Sequence, residues 1–211
     1  SVQEMAQLTI QGFALAEKYR MPCMLLADGT MGQMMEPVEL PDTAPEMVEK
    51  PWALTGTGLS RKHNIINSLS LTPDELERWN IDRYARYAKV EADEVMYEEY
   101  LTEDADVCVV GYGIAARVAR NAVNAARAKG IKAGMFRPIT LWPFPKAALN
   151  KLASTCRAFI SVELSMGQLI EDVELAIRCS RPVTLCNRTG GMIPSPEQVL
   201  ASIEEAAAKL N

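Results

Sequence analysis

The second half of the chain alternates short apolar runs with helix-type patterns. The runs DVCVVG, IKAGMF, RAFISVEL and RPVTLCN have the length of strands, and segments with helical periodicity separate them. This alternation is typical of β-α-β units, whose strands form a parallel sheet covered by helices on both faces. We therefore predict an α/β domain over residues 106–211, with its functional loops at the carboxyl ends of the strands.

The first half is less regular. Residues 2–19 predict a helix with one broad buried face, and a capping box at Ser1 and Glu4 opens it. The run CMLLA after Pro22 predicts a buried parallel strand. Residues 29–70 have no clear period and predict a long loop, after which a charged helix extends from Thr72 to about residue 99.

Charge and cysteine usage exclude several classes. A net charge of −5 and a pI of about 5.1 argue against a nucleic-acid or anionic-membrane surface, and no apolar run reaches the roughly 18 residues of a membrane span. The five cysteines have no CxxC spacing, and Cys23 and Cys108 are predicted to be buried thiols. These features predict a cytoplasmic protein without an iron–sulfur or metal site of its own. His63, the only histidine, is interpreted as a surface residue.

Two predicted strand ends carry candidate chemistry. Residues 111–116 match G-x-G-x-x-A, which would suit NADP if Arg137 bound its 2′-phosphate, although a tight turn before a helix explains the glycines better. Glu163 ends a strand and precedes Gln168 at a helix start. It could act as an acid or base, but a carboxylate that holds the next loop is the favoured interpretation.

Two loops invite partners. Arg188 with Gly190 and Gly191 forms a loop that could receive an anion or could be a solvated turn, and both interpretations remain open. The segment from Asp28 to Glu36 has three methionines beside two acids. It suits adaptable protein contacts, with metal binding as the weaker alternative.

The segment FRPITLWPFP, residues 136–145, combines three prolines with aromatic residues. Proline fixes φ and removes backbone donors, so this loop should have one shape. We predict that Trp142 and Phe144 form a preformed docking surface, and the alternative is an internal plug over the strand ends. Since no complete set of catalytic residues is visible, the chain predicts a subunit or fragment that completes a site with other chains.

Several motifs together resemble the alpha subunit of 2-oxoacid:ferredoxin oxidoreductases, and most closely the branched-chain (3-methyl-2-oxobutanoate, or 2-oxoisovalerate) type. They are LLADGTMGQMMEPVELP, EKPWALTG, RKHNIINSL, FRPITLWPFP, VELSMGQLIEDV and NRTGGMIPSPEQV, and they span essentially the whole chain. The resemblance implies oxidative decarboxylation of a 2-oxoacid on thiamine diphosphate. Electrons would pass to ferredoxin and the acyl group to coenzyme A.

The resemblance also implies a domain order and a set of partners. Residues 1–41 would end a pyrimidine-binding-type thiamine domain, residues 42–105 would form a linker arm and charged helix, and residues 106–211 would form a transketolase C-terminal-like domain. Thiamine diphosphate and magnesium would be held mainly by a beta subunit. Gamma and delta subunits would complete the enzyme, with iron–sulfur clusters in the partner chains.

The family's activating glutamate and substrate-binding segment have no match here. We therefore expect sequence before Ser1, no cofactor bound by this chain alone and no activity by itself. The other hypotheses are an NADP-binding domain and an assembly module without a ligand.

Overall fold

The computed structural model describes residues 1–43 and 49–210. It contains two compact units, which are described separately below. The first comprises Ser1–Leu25 and Met35–Lys89, and the second comprises Leu26–Met34 and Val90–Asn211. The helices are α1 (Val2–Tyr19), α2 (Gly29–Gln33), α3 (Pro73–Asp93), α4 (Gly113–Ala128), α5 (Lys146–Leu152), α6 (Leu169–Ala176) and α7 (Pro196–Ala208).

The second unit is built on a five-stranded sheet. Its strands are β1 (Tyr97–Tyr100), β2 (Val107–Val110), β3 (Ala133–Pro138), β4 (Ala158–Glu163) and β5 (Val183–Asn187), and their order in space is β1-β3-β2-β4-β5. Strands β2 to β5 are parallel, whereas β1 pairs antiparallel with β3. The predicted α/β fold with a parallel sheet is confirmed, with one antiparallel edge strand added.

Helices cover both faces of this sheet. Val107 and Val109 of β2 belong to a core cluster with α4 and α7, whereas Cys108 and Val110 belong to a second cluster with α5 and α6. Successive side chains of a strand point to opposite faces, so a strand buried on both sides must be apolar throughout. This requirement explains the apolar runs of β2, β3 and β4, which are buried almost throughout, whereas the edge strand β5 is partly exposed.

Strand β1 was not predicted, because its residues were assigned to the end of a helix. Helix α3 instead ends at Asp93. In β1 the ring of Tyr97 stacks on Phe136, with centroids 5.2 Å apart, and Glu98 forms an ion pair with Arg137 of β3. Cross-strand pairs of this kind stabilise an edge strand whose own sequence is polar.

The first unit has helices but no buried side chains among its described residues. Helix α1 forms as predicted, and the Ser1 hydroxyl accepts a hydrogen bond from the Glu4 amide. The prediction that this helix has a broad buried face was wrong, because α1 buries no residue. Phe13 on this helix is 72 % exposed.

The strand predicted after Pro22 was also wrong. The run has no assigned strand, Met24 is 79 % exposed and Cys23 is exposed rather than buried. A strand needs a neighbour for its backbone hydrogen bonds, and the strands of the described chain all lie between residues 97 and 187. The predicted 29–70 loop contains helix α2, and its residues 44–48 lie outside the described part of the chain. Within the described residues no helix is long and apolar enough to cross a membrane.

Candidate functional site

The carboxyl ends of strands β2 to β5 lie along one edge of the sheet. Each strand is followed there by an exposed apolar side chain: Tyr112, Trp142, Met166 and Met192 are 42 %, 51 %, 80 % and 54 % exposed. We call these four residues the carboxyl-edge surface. Ligand and partner sites of parallel α/β sheets gather at this edge.

Glu163 at the end of β4 is 4 % exposed and fully engaged. Its Oε1 accepts hydrogen bonds from the Ser161 hydroxyl and the Ile170 amide, both at 2.8 Å. Its Oε2 accepts from the Ser165 hydroxyl at 2.6 Å and from the amides of Gln168 and Leu169 at 2.8 and 3.0 Å. Burial raises the pKa of Glu163, but the hydrogen bonds from Ser165, Ser161 and the two amides outweigh it, so the pKa lies below its ordinary value.

These contacts determine what Glu163 and Gln168 can do. The carboxylate caps the start of α6 and has no free lone pair for a substrate, which supports the structural role favoured from the sequence. Gln168 is the N-cap residue of α6 and contributes its backbone amide, without a side-chain cap bond. A carboxylate at the first turn of a helix also interacts favourably with the helix dipole.

The G-x-G-x-x-A turn at the end of β2 is occupied from within the chain. The Ile114 amide, at the start of α4, donates to Asp28 Oδ2 at 2.9 Å. A dinucleotide would place its pyrophosphate at such a helix start, where Asp28 already supplies the negative charge. Arg137, the proposed partner of a 2′-phosphate, instead donates from Nε to Glu98 Oε2 at 2.9 Å. Both contacts argue against the NADP hypothesis.

Tyr112 is a site residue that the sequence reasoning missed. It lies between the two glycines of the turn and is 42 % exposed. Burial raises the pKa of Tyr112, and the carboxylates of Glu163, Asp172 and Asp28 raise it further. The signal in the sequence was a tyrosine at the variable position between the two glycines of the turn.

The FRPITLWPFP segment divides into two parts. Phe144 is 9 % exposed and packs in the cluster on the α5 and α6 face of the sheet, so its presentation as a docking anchor was wrong and the plug interpretation holds for it. Pro143 and Pro145 are buried on either side of it. Trp142 is half exposed and precedes a cis peptide bond to Pro143. Trp142, which is 51 % exposed, remains the docking candidate of this segment.

The loop after β5 is exposed. Gly190 and Gly191 both have positive φ, and the Arg188 amide donates to the Glu163 carbonyl at 3.2 Å. Among the described residues no hydrogen bond or ion pair engages the Arg188 guanidinium. The adjacent Asn187 donates from Nδ2 to the Ser165 carbonyl at 2.6 Å, so the loops after β4 and β5 are joined. Both the anion and the solvated-turn interpretations of Arg188 remain open.

The remaining candidates lie elsewhere. His63 is exposed in the first unit and lines an open cavity of about 240 Å³ with Arg61 and Asn64. Cys108 and Cys156 are buried free thiols on the α5 and α6 face. In the described ranges 1–43 and 49–210 no cluster of histidine, cysteine and acidic side chains could hold a metal ion.

Comparison with known proteins bears on the whole chain. The family model "Pyruvate flavodoxin/ferredoxin oxidoreductase, thiamine diP-bdg" matches residues 1–99, and "Pyruvate:ferredoxin oxidoreductase core domain II" matches residues 105–199. Ketoisovalerate oxidoreductase subunit VorB of Methanothermobacter marburgensis is 47 % identical over 100 % of this chain and 60 % of its own length. The chain belongs to the 2-oxoacid:ferredoxin oxidoreductase family.

Two further proteins are similar to this chain. The 2-oxoglutarate synthase subunit KorA of Methanothermobacter thermautotrophicus is 30 % identical over 96 % of this chain and 61 % of its own length. The structure of 2-oxoglutarate:ferredoxin oxidoreductase from Magnetococcus marinus, solved with 2-oxoglutarate, coenzyme A and succinyl-CoA bound, superposes with a TM-score of 0.68 at 21 % identity. That match covers 94 % of this chain and 39 % of the other, and it supports the fold. The chain therefore spans about 60 % of the length of the curated relatives it matches.

Proposed function

We propose that this chain is part of the alpha subunit of a thiamine diphosphate-dependent oxidoreductase that converts a branched-chain 2-oxoacid to an acyl-CoA. The carboxylate of the 2-oxoacid leaves as CO₂, two electrons pass to ferredoxin and the acyl group is transferred to the thiol of coenzyme A. The identity of 47 % to a ketoisovalerate oxidoreductase subunit carries this proposal, because it extends over the full chain. Relatives named for 2-oxoglutarate are less similar, at 30 % or below in Methanothermobacter.

The structure supports a shared rather than a self-contained site. Glu163 is saturated with hydrogen bonds, and Arg137 pairs with Glu98, so neither is free to act on a substrate. The chain would therefore contribute the rim of a centre whose thiamine diphosphate and magnesium are held mainly by a beta-type subunit. The iron–sulfur clusters would belong to gamma- and delta-type partners, in the cytoplasm.

The domain assignment of residues 1–41, 42–105 and 106–211 also belongs to this proposal. Residues 1–25 have no buried side chains, which supports their assignment to the end of a larger domain that would supply the packing partners. Residues 26–34 of the same segment belong instead to the second unit. Strand β1 lies in the proposed linker segment 42–105, but it pairs with β3 in the sheet of residues 106–211.

The reaction can be tested in the assembled enzyme. The subunit is co-expressed with its partner subunits, and reduction of ferredoxin is measured with 2-oxoisovalerate, 2-oxoglutarate and pyruvate, each with and without coenzyme A. We expect the highest kcat/KM for 2-oxoisovalerate and a loss of acyl-CoA formation without coenzyme A. Preference for 2-oxoglutarate would overturn the assigned substrate, and no thiamine-dependent activity would favour a pure assembly module.

The carboxyl-edge surface is proposed to contact the thiamine diphosphate-holding subunit. A half-exposed tryptophan at the rim of a partly polar edge is the type of side chain that anchors interfaces, and its loss typically weakens binding by a factor of ten or more. Trp142→Ala is therefore expected to reduce capture of the partner by about ten-fold. Leu175→Ala, which removes a 72 % exposed side chain of α6 away from this edge, should not.

The thermal midpoint of the isolated subunit separates docking from internal packing. If Trp142→Ala lowered the midpoint and left capture unchanged, the tryptophan would be packing within its own unit and the docking proposal would fail.

A further inference from the structure

The Asp28 carboxylate connects two helix starts that lie far apart in the chain. Its Oδ1 accepts a hydrogen bond from the Met31 amide at 2.8 Å and caps α2. Its Oδ2 accepts from the Ile114 amide at 2.9 Å, at the start of α4. Both belong to the second unit, in which residues 26–34 form a separate segment. One side chain thus joins this segment to the sheet-bound helix.

Gly113 shows that the turn is shaped around this carboxylate. Its φ is +57°, a conformation that other residues adopt at a cost, and a Cβ there would lie 2.6 Å from Asp28 Oδ2. A glycine thus serves two needs at one position. The helix start binds an internal anion at the place where related turns in other folds bind a phosphate.

The same segment makes other contacts in this unit. Met31 is 7 % exposed, which makes it the buried residue of α2. The Arg117 guanidinium, one turn along α4, lies 4.0 Å from the Met34 sulfur. Residues 28–34 are therefore packed against the start of α4.

Tyr112 connects this contact to the carboxyl-edge surface. The residue immediately precedes Gly113, and its phenol senses the charge of Asp28 together with the charges of Glu163 and Asp172. Because Asp28 accepts from the Ile114 amide and lies against Gly113, loss of this contact should loosen the backbone next to Tyr112.

We propose that Asp28 is a positioning residue that clamps residues 26–34 onto the start of α4 and thereby orders Tyr112 at the carboxyl-edge surface. The clamp deepens the proposed function and rests on it only for the identity of the partner that contacts this surface. The clamp itself is a property of this chain and can be measured without any partner.

Hydrogen exchange with mass spectrometry tests the clamp in the full chain. Asp28→Ala should speed exchange about ten-fold or more in peptides covering residues 26–34 and 112–118, because both amides lose a charged acceptor. Peptides of α7 should keep their rate. Glu103→Gln, which neutralises an exposed acid of the same unit, is the matched control and should change none of these peptides. Faster exchange in residues 26–34 without a change at 112–118 would overturn the clamp.

Two further variants keep the test decisive if Asp28→Ala does not fold. Asp28→Asn leaves one oxygen for two amides, so one of the two helix starts should open. Gly113→Ala strains the turn itself, and strain alone would affect only residues 112–118. The clamp predicts that residues 26–34 also exchange faster in Gly113→Ala, and their protection there would contradict it.

The pKa of Tyr112 provides a second measurement, which should not change if Asp28 has only a structural role away from Tyr112. In Asp28→Asn the Tyr112 pKa should fall, because one of the three acids that raise it is neutral. The phenolate absorbance of Tyr112 is obtained as the difference between each protein and its Tyr112→Phe counterpart. An unchanged Tyr112 pKa would remove the link to the surface. If Trp142→Ala lost capture of the partner while Asp28→Ala exchanged normally, the clamp alone would be overturned. If Asp28→Ala exchanged faster while Trp142→Ala kept capture of the partner, the proposed interface alone would be overturned.

Discussion

Helices α1 and α7 begin in the same way and end up in different environments. In each, a serine hydroxyl accepts a hydrogen bond from the amide of the third helical residue, at 3.2 Å in α1 and 3.3 Å in α7. Helix α7 then buries Val199, Ile203 and Ala206 against the sheet, whereas α1 buries nothing. Local signals therefore decide where a helix starts in both units, but burial depends on partners from distant parts of the chain.

The same contrast applies to the strands. The run VCVV of β2 finds β3 on one side and β4 on the other, and all four residues are buried. The run CMLLA, residues 23–27, is equally apolar but has no assigned strand and remains exposed. Apolar composition is thus insufficient for a strand, because its backbone groups need neighbours as well.

The largest expected effect follows from this difference in burial. Phe136→Ala removes a fully buried ring from the sheet core and should lower the free energy of unfolding by about 3–5 kcal/mol. Phe13→Ala removes a ring that is 72 % exposed, and it should change that free energy by less than about 0.5 kcal/mol. Urea denaturation followed by circular dichroism measures both. A comparable loss in the two variants would show that the first unit is packed in solution.

The cap of α6 should give the next largest effect. Glu163→Ala leaves three helix amides and two hydroxyls without their acceptor, and we expect a loss of about 3 kcal/mol in the free energy of unfolding. Glu163→Gln keeps the shape but loses the charge and one acceptor oxygen, so it should lose less. Glu103→Gln again serves as the exposed control. If both Glu163 variants matched this control, the cap would contribute nothing.

The pH dependence of Glu163 has a definite sign. Its folded-state pKa is lower than the ordinary value of 4.5, so the unfolded chain binds its proton more readily. The stabilisation from this group is complete above pH 4.5 and is lost as pH falls through the lower folded-state pKa. Chemical denaturation at about pH 6 and at about pH 3 spans this range. The acid-induced loss in the free energy of unfolding should be smaller in Glu163→Gln than in the unmodified chain. Parallel losses in the two proteins would contradict this assignment.

The sequence predicted the elements that are marked by a local motif, such as a helix cap, or by a continuous apolar run. Strands β2, β3 and β4 are buried almost throughout, whereas β5 is a partly exposed edge strand. The Ser195 cap begins α7 as expected. It did not predict β1, because Glu98 belongs in a strand only once Arg137 lies opposite it. It placed Phe144 at the surface, since an aromatic residue between prolines has the same composition whether it docks a partner or fills a core.

The candidate site was predicted in part for the same reason. The place of Glu163 at a strand end predicts a carboxylate that holds the next loop, and its five hydrogen bonds agree with that role. The contact between Asp28 and the start of α4 joins residues 86 positions apart. No local pattern contains such a pair, so the contact of Asp28 could not be predicted from the sequence.

The smallest expected effect is also the most direct comparison of the two units. Ser195→Ala removes the capping box of α7 and should lower the free energy of unfolding by about 1 kcal/mol, because the helix start is coupled to buried Val199 and Ile203. Ser1→Ala removes the corresponding hydroxyl of α1, but the unfolding transition should not shift, since α1 contributes no buried side chain to it. Chemical denaturation of the two variants under identical conditions makes the comparison. Equal losses would mean that α1 unfolds together with the sheet. The two units would then differ in how many side chains they bury but would unfold in one cooperative transition.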